Sequence, residues 1–314
     1  MKPRAIITAM THPMLKAGLE ARGYAVDVHE QISYAALTEI AGDYQGMVVS
    51  TRLNIDAALL SKAKSLQWIG RLGSGMEIID VGYATSQNIH CISSPEGNCG
   101  PVGEHCLGML LSLMHHITRS AVEVAAGKWI REPNRGIELR GKTVGIIGFG
   151  HTGSSFGVLL APFGVRVLAV DKYKKNFASG HVQEASLQQV MREADVISFH
   201  LPFDAETRYY ADDRFFEALE KKPFLLNASR GGVVDQQALI RALDAGKIAA
   251  VALDVLENEE LITYSQEEKA IFDNLVARKN VLITPHIAGY SKESLYRMPE
   301  VILQKLDALH QRDL

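Results

Sequence analysis

Short apolar runs alternate with amphipathic stretches along the first ninety residues. Runs rich in β-branched and other apolar residues predict strands, and they lie at 4–8, 25–29, 46–50 and 66–70. Residues 13–22 and 56–64, between these runs, have the spacing of amphipathic helices. Residues 47–49 are continuously apolar, as a strand is when helices cover both faces of its sheet. We therefore expect one small α/β domain with a parallel sheet.

A second series of the same kind begins at Gly141. Six strands are predicted there, at 142–147, 165–170, 195–200, 223–227, 249–253 and 281–284. Helical segments lie between them, and a glycine-rich turn follows the first strand. This order predicts a doubly wound domain of the dinucleotide-binding type.

Residues 101–129 join the two series, with a mostly helical pattern that is long enough to bridge both domains. We expect the first boundary in the Pro-Gly-Asn cluster at 95–101 and the second at residues 289–291. Residues 295–309 have helical spacing and no strand after them, so we expect them to return to the first domain. The predicted fold class is α/β with two doubly wound domains. These are a flavodoxin-like substrate domain, residues 1–97 with 290–314, and a Rossmann NAD-binding domain, residues 98–289.

The composition excludes several kinds of partner and ligand. The 314 residues are 47% hydrophobic and 22% charged, with a net charge of −3 and dispersed Lys and Arg, so we expect no nucleic-acid partner. No apolar run approaches the ~20 residues that span a bilayer, so we expect no membrane partner. Cys91, Cys99 and Cys106 lack the spacing of a zinc site or a disulfide framework, and we expect no metal. The first residues lack a signal-peptide pattern, which favours a cytoplasmic protein.

Three glycines, Gly148, Gly150 and Gly153, form a GxGxxG turn directly after a predicted strand and before a helical run. Gly148 would permit the tight turn, Gly150 would let a pyrophosphate approach, and Gly153 would let the helix pack on the strand. The helix N-terminus would then offer N–H groups to the phosphates. The spacing alone is weak, because glycine-rich turns also serve packing.

Asp171 ends the next predicted strand, 18 residues after the last glycine. A carboxylate there accepts hydrogen bonds from ribose hydroxyls and repels a 2′-phosphate, which favours NAD over NADP. Three lysines follow at 172, 174 and 175 and would soften that repulsion.

Three further polar residues, Arg230, Glu259 and His286, each follow a predicted strand of the second series, where ligands of an open α/β sheet collect. Taken alone, Arg230 is also consistent with a surface charge and His286 with a turn residue. Glu259 lies in an acidic run with Glu257 and Glu260, which is typical of a solvated face.

Three stretches resemble the signatures of the D-isomer-specific 2-hydroxyacid dehydrogenases, both in their order along the chain and in their amino acids. They are 227–235, 254–259 and 284–289. The resemblance covers nearly the whole chain and includes residues 72–75, 95–98, 102–105 and 200–202. It implies that Arg230 holds the substrate carboxylate and polarises the C2 oxygen. It also implies that His286 exchanges the hydroxyl proton and that Glu259 orients His286. The family spacing from Asp254 points to Glu259 within the acidic run.

The resemblance implies NAD contacts as well. Asp254 would receive the nicotinamide amide, and Thr207 would cap a helix beneath the site. The other implied cofactor-binding residues are His151, Thr152, Leu201, Pro202, Ala228, Ser229 and Gly289. Ser74 and Gly75 would supply backbone donors to the substrate carboxylate, so we expect the two domains to close on the ligand.

Within the family, the likeness is fullest to the D-3-phosphoglycerate dehydrogenases, through residues 66–71, 95–98 and 127–131. That likeness implies D-3-phosphoglycerate and 3-phosphohydroxypyruvate as substrates, in serine biosynthesis, with Arg52 near the substrate phosphate. A glyoxylate or hydroxypyruvate reductase stays open. Residues 286–291 are similar instead to erythronate-4-phosphate dehydrogenase. An alternative of another class is an NAD(H)-sensing, corepressor-like binding protein on the same fold.

Other expectations follow from the same comparison. The interval from Glu259 to His286 is 27 residues, longer than usual, so we expect residues 261–276 to form an added helix near the cleft. Nothing follows Leu314, so we expect no C-terminal serine-sensing domain. The resemblance implies a homodimer through residues 101–129, with His115 and His116 at the contact.

Overall fold

Two units make up the residues that the computed structural model describes, 2–311, of which the side chain of His310 is not described. The first unit contains residues 2–99 and 289–311, and the second contains residues 100–288. The expected boundaries lie within two residues of these. Met1 and residues 312–314 of the expected substrate domain lie outside the described residues. The assignment of the first unit to substrate binding stays a prediction.

The first unit has a parallel five-stranded sheet. Its strands are β1 (Arg4–Ile7), β2 (Ala25–Val28), β3 (Gly46–Val49), β4 (Trp68–Arg71) and β5 (His90–Ser93). Its first helices are α1 (Met14–Ala21), α2 (Tyr34–Ile40), α3 (Ala57–Lys62) and α4 (Val81–Ser86). The strand order β2-β1-β3-β4-β5 is the flavodoxin-like order, which confirms the predicted fold of this domain. Strand β5 was not predicted, because this edge strand is half polar and has one buried residue, Ile92.

The last helix, α12 (Lys292–His310), packs within the first unit. Its Ile302, Leu303 and Leu306 are buried in one apolar cluster with Leu15 and Leu19 of α1. Burying such side chains stabilises the unit by about 1.5–3 kcal/mol each. The C-terminal segment therefore returns to the first unit, as its apolar spacing predicts.

The second unit has a parallel sheet of seven strands, not the six predicted. They are β6 (Thr143–Ile147), β7 (Arg166–Val170), β8 (Val182–Glu184), β9 (Val196–Phe199), β10 (Phe224–Asn227), β11 (Ala250–Leu253) and β12 (Val281–Ile283). The order β12-β11-β10-β9-β6-β7-β8 is that of a doubly wound Rossmann sheet. The extra strand, β8, escaped prediction because it is a three-residue edge strand with only Val182 buried.

The connection between the units is helical earlier than expected. Helix α5 (Pro95–Met114) begins in the cluster at 95–101, where a domain boundary was expected and where the division between the units falls. Pro95 occupies the first helical position, where its fixed φ suits the helix and its missing N–H costs nothing, so the cluster can be helical and still contain the boundary. His116, with φ of +53°, separates α5 from α6 (Ile117–Ala125).

The remaining helices flank the second sheet. They are α7 (His151–Leu159), α8 (Leu187–Glu193), α9 (Asp213–Glu217), α10 (Gln236–Asp244) and α11 (Gln266–Val276). Helix α11 lies within the segment 261–276, where an added helix was expected, and packs on α10 and β12. Among residues 2–311, no helix combines the length and the apolar character needed to cross a membrane.

Candidate active site

The glycine-rich turn joins β6 to α7. Gly148 has φ of +91°, a conformation that favours glycine, and its N–H donates to the carbonyl of Val170 at 2.8 Å. A Cβ at Gly153 would lie 2.1 Å from the carbonyl oxygen of Gly148, so glycine is needed for this packing. A Cβ at Gly150 would meet no described atom within 4 Å. The space beside Gly150, at the N-terminus of a nine-residue helix, therefore suits a pyrophosphate.

His200 packs against this turn through its backbone and its side chain. The carbonyl of His200 lies 2.4 Å from the position that a Cβ of Gly148 would take. The imidazole is within 2.8 Å of the Ser198 hydroxyl and 3.3 Å of the Thr152 hydroxyl. Burial lowers the pKa of His200 to about 4, so the ring is neutral at ordinary pH. Thr152 and His151 open α7, where the first N–H groups have no partner within the helix.

Asp171 lies at the end of β7 and accepts three backbone hydrogen bonds. Its Oδ2 accepts from the N–H of Phe149 at 2.9 Å, and its Oδ1 accepts from those of Tyr173 and Lys174 at 2.9 and 2.8 Å. Burial would raise the pKa of Asp171, but these donors outweigh it and hold the pKa below its usual value. The residue is therefore an ionised, half-buried carboxylate beside the glycine-rich turn.

The loop after β9 carries Leu201 and Pro202. Leu201 Cδ2 lies 3.2 Å from the Cβ position of Gly148, so this loop borders the glycine-rich turn. Thr207, expected to cap a helix, instead closes a turn: its hydroxyl donates to the Pro202 carbonyl at 2.7 Å and accepts from the Asp204 N–H at 2.8 Å. That expectation was wrong because no helix begins there; residues 205–209 form a turn.

Arg230 follows β10 on a loop that Asn227 organises. The buried amide of Asn227 donates to the carbonyl of Arg230 at 2.9 Å and accepts from the N–H and hydroxyl of Ser229. The guanidinium of Arg230 donates to the Ser229 carbonyl at 2.6 Å. Ala228 and Ser229, both expected to contact the cofactor, lie in this same turn.

Asp254, after β11, links this loop to the loop that carries His286. Its N–H donates to the Asn227 carbonyl at 2.9 Å, and its carbonyl accepts from the His286 N–H at 2.7 Å. Its buried carboxylate accepts from the N–H groups of Ile287 and Ala288 at 3.0 and 2.8 Å. The loops of Arg230 and His286 are thus joined by a continuous set of hydrogen bonds. The expected contact of Asp254 with the nicotinamide stays a prediction.

His105 is a further member of this junction that sequence reasoning missed. Its Nε2 lies 3.0 Å from the Thr284 hydroxyl and 3.4 Å from Asp254 Oδ1, and the Thr284 hydroxyl donates to Asp254 Oδ1 at 2.5 Å. Burial would raise the pKa of Asp254, but the hydrogen bonds from His105, Thr284 and the loop N–H groups hold it below its usual value. The signal was present, since His105 belongs to the motif 102–105, but its spatial partner lies 179 residues away.

His286 and Glu259 form a hydrogen-bonded pair. His286 Nδ1 lies 2.8 Å from Glu259 Oε2, and both side chains are partly exposed. Glu257 is engaged elsewhere, accepting from the Tyr209 hydroxyl at 2.7 Å and from the Gln236 N–H at 3.0 Å. His286 has φ of +54°, a conformation uncommon outside glycine that recurs at functional sites.

The first unit holds three of the four residues expected to bind substrate, and the fourth, Arg230, lies in the second unit. The Ser74 hydroxyl donates to Asn98 Oδ1 at 3.0 Å, and Gly75 follows on the same half-buried loop. Arg52 is exposed, and its guanidinium donates to the carbonyls of Ile32 and Thr8 at 2.7 and 3.1 Å. Gly289, from the cofactor set, also belongs to this unit.

The second unit therefore places the Glu259–His286 pair and the loop of Arg230 at the carboxyl ends of neighbouring parallel strands. Strands β10, β11 and β12 are parallel neighbours, so the loops that follow them meet at their carboxyl ends. Because Nδ1 of His286 is hydrogen-bonded to Glu259, Nε2 is the ring nitrogen that lies outside this pair. Within residues 2–311, no group of three His, Cys, Asp or Glu side chains is arranged to hold a metal ion.

The chain matches a known family. The family described as "D-isomer specific 2-hydroxyacid dehydrogenase, NAD binding domain" matches residues 107–288, more than half of the chain. The matched range contains the glycine-rich turn, Asp171, Arg230, Glu259 and His286.

Several relatives are named D-3-phosphoglycerate dehydrogenase. The one from Archaeoglobus fulgidus is 33% identical over 295 residues, which cover 93% of this chain and 54% of the relative. The one from Homo sapiens is 29% identical over 314 residues, which cover 99% of this chain and 57% of the relative. This chain thus spans little more than half of the length of each.

Solved structures with the same fold include enzymes named for other substrates. The D-lactate dehydrogenase from Aquifex aeolicus, complexed with NAD and lactic acid, has a TM-score of 0.85 and 26% identity, covering 99% of this chain and 96% of that one. The NADPH-dependent glyoxylate/hydroxypyruvate reductase from Sinorhizobium meliloti, in complex with NADP and malonate, has a TM-score of 0.82 and 26% identity. It covers 98% of this chain and 93% of that one.

Proposed function

The chain belongs to the D-isomer specific 2-hydroxyacid dehydrogenase family, and we propose from this that it transfers a hydride between NAD and C2 of a D-2-hydroxy acid. The observation that carries the proposal is the Glu259–His286 pair, joined through Asp254 to the Arg230 loop at the edge of a nucleotide-binding sheet. When bound, NAD supplies the hydride acceptor or donor.

Side chains of this protein would transfer the hydroxyl proton and stabilise the charge that develops at the C2 oxygen. In the oxidation direction, Nε2 of neutral His286 accepts the hydroxyl proton, while Nδ1–H donates to Glu259 and so stabilises the imidazolium that forms. Arg230 binds the substrate carboxylate and stabilises negative charge at the C2 oxygen, a task suited to a planar guanidinium. In the first unit, we assign Ser74 and Gly75 to the same carboxylate through their backbone N–H groups.

The proposed NAD contacts are grouped by the part of the cofactor that they bind. Gly148, Gly150 and Gly153, with the N–H groups of His151 and Thr152, form the pyrophosphate site. The ionised Asp171 receives the ribose hydroxyls and disfavours NADP. The other cofactor contacts that we propose are Leu201, Pro202, Thr207, Ala228, Ser229, Asp254 and Gly289.

For the substrate, we propose D-3-phosphoglycerate and 3-phosphohydroxypyruvate, as in serine biosynthesis. The proposal is supported by relatives named for that activity and by the exposed guanidinium of Arg52, whose fixed charge suits a phosphate. Glyoxylate and hydroxypyruvate are the second candidates, favoured by the structural likeness to a reductase of those acids.

A panel of 2-oxo acids with and without a terminal phosphate, assayed with NADH and NADPH, tests the proposal. We expect the highest kcat/KM with phosphohydroxypyruvate and NADH, and a loss of about 10-fold or more in Arg52→Gln with that substrate but not with hydroxypyruvate. Equal loss with both acids would remove Arg52 from the phosphate site. Tight NADH binding with no reduction of any 2-oxo acid would favour the sensing, corepressor-like alternative.

We also propose a homodimer through the region of α5 and α6. Helix α6 has no buried residue, and its Ile117, Val122 and Val124 are 54, 65 and 50% exposed. Trp129, four residues after the helix, is 83% exposed. Such exposed apolar side chains are typical of an interface. Sedimentation of the wild type and of Val122→Asp will test this: a dimer that the substitution leaves intact contradicts the proposed interface.

A further inference from the structure

Asn258 lies directly before Glu259 and is bound through both ends of its amide. Its Oδ1 accepts from the N–H of Glu260 at 3.0 Å, which closes a turn over Glu259. Its Nδ2 donates to Glu268 Oε1 at 3.0 Å and to Thr263 Oγ1 at 3.2 Å. Asn258 is half-buried, whereas Glu259 and Glu260 are exposed. The amide of Asn258 is therefore held in place directly beside the exposed Glu259.

The partners of Asn258 belong to α11 and the turn before it. Glu268 is the third residue of α11, and its Oε2 accepts from the Ser265 N–H at 2.7 Å in a capping box. One oxygen of Glu268 thus caps the helix while the other holds Asn258. The Tyr264 hydroxyl donates to the carbonyl of Asn258 at 2.7 Å, and its ring contacts Phe272 of α11, with 5.8 Å between centroids.

The charge state of Glu268 strengthens this contact. The amide of Asn258, followed by the backbone and side chain of Ser265, holds the pKa of Glu268 below its usual value. Glu268 is therefore ionised at neutral pH, and a hydrogen bond to a carboxylate is roughly twice as strong as one between neutral groups.

We propose that Asn258, held by Glu268 and Tyr264, is a positioning residue for the Glu259–His286 pair. The inference rests on the proposed function, because the pair affects a rate only if His286 exchanges a proton. The Glu259 side chain is 42% exposed and lies outside any strand or helix, so its hydrogen bond to His286 competes with water and with its other rotamers. Fixing the backbone on both sides of Glu259 removes part of that freedom, and helix α11 supplies the fixed point.

Substitutions separate this role from a general loss of structure. Asn258→Ala should lower kcat about 10- to 100-fold, with KM for NAD within about two-fold of the wild type. Glu268→Ala should act in the same direction, and Glu268→Gln, which retains an acceptor for Asn258, should recover most of the loss. Glu267→Ala is the matched control, because Glu267 is the adjacent residue of α11 and bonds to Gln237 instead. We expect Glu267→Ala to leave kcat unchanged.

A measurement without substrate completes the test. In the wild type at pH 9, the ¹⁵N shifts of His286, assigned through their loss in His286→Gln, should show the Nδ1–H tautomer that Glu259 accepts from. In Asn258→Ala the Nε2–H tautomer should gain population, and in Glu267→Ala the spectrum should match the wild type.

The two readouts separate the inference from the proposed function. A wild type that reduces no 2-oxo acid overturns the proposed function, and a tautomer change in Asn258→Ala would still support the positioning of the pair. An active wild type whose kcat and tautomer are both unchanged in Asn258→Ala overturns the positioning role. A fall in kcat without a tautomer change, or the reverse, also overturns it, because the two effects would then have separate causes.

Discussion

Mild acid should weaken the nucleotide-binding unit through one residue, His200. Its imidazole is buried, and burial lowers its pKa from 6.5 to about 4. Because the folded-state pKa is depressed below the unfolded value, the unfolded chain binds a proton first. Stability is therefore fully present above about pH 6.5 and is lost as the pH falls toward 4. With these two values, linkage gives a loss of about 2 kcal/mol between pH 7 and pH 5.

The loss is measurable in a pH window where few carboxylates titrate. Native-state hydrogen exchange of the amides of β9, measured at pH 7, 6 and 5 and corrected for intrinsic rates, gives the opening free energy of this buried strand. His200→Gln keeps a hydrogen-bonding side chain but has no titrating group, so its opening free energy should change much less over the same range. Equal pH dependence in the wild type and in His200→Gln would refute the reasoning, since the proton uptake would then belong to another group.

Three further predictions concern the site. Asp171→Asn should raise KM for NAD about 10- to 100-fold and lower KM for NADP in steady-state assays, because the charge is removed beside three lysines; an unchanged KM for NAD contradicts the ribose assignment. His286→Gln should lower kcat about 10²- to 10⁴-fold while NADH affinity, measured by fluorescence, changes less than about three-fold; retained turnover contradicts proton transfer at this residue. Gly153→Ala should lower Tm by several degrees, because its Cβ meets the Gly148 carbonyl, whereas Gly150→Ala should lower NADH affinity with little change in Tm; the reverse pattern contradicts the pyrophosphate site.

Strong periodic signals made most of the architecture predictable. The strands β3, β6 and β9 are buried along their whole length and mostly apolar, and the parallel sheets of both units follow from alternating strands and helices. Strands β5 and β8 were missed because edge strands bury few side chains and so carry little hydrophobic pattern. The division between the units falls in the cluster at 95–101, as expected, but the helical start at Pro95 was not predicted, because proline and glycine also occur in the first turns of helices.

The site was predictable where residue type and strand position agree. Arg230, Glu259 and His286 follow strands, and the family spacing placed Glu259 opposite His286, where the structure has a hydrogen bond. Their roles stay predictions. His105 was missed because its partner Thr284 lies 179 residues away and only the fold brings the two together. Asn258 was missed although its partner Glu268 is only ten residues away, because an asparagine in a polar loop carries no pattern that predicts its hydrogen bonds.

The backbone conformation of His286 has a consequence for engineering the protein. A left-handed conformation costs an L-residue about 1 kcal/mol or more, and glycine avoids that cost. A library screened for heat resistance alone would therefore tend to enrich Gly at position 286 and discard the imidazole. Thermostable variants should be sought with turnover as a second criterion, because at this position durability and reactivity favour different amino acids.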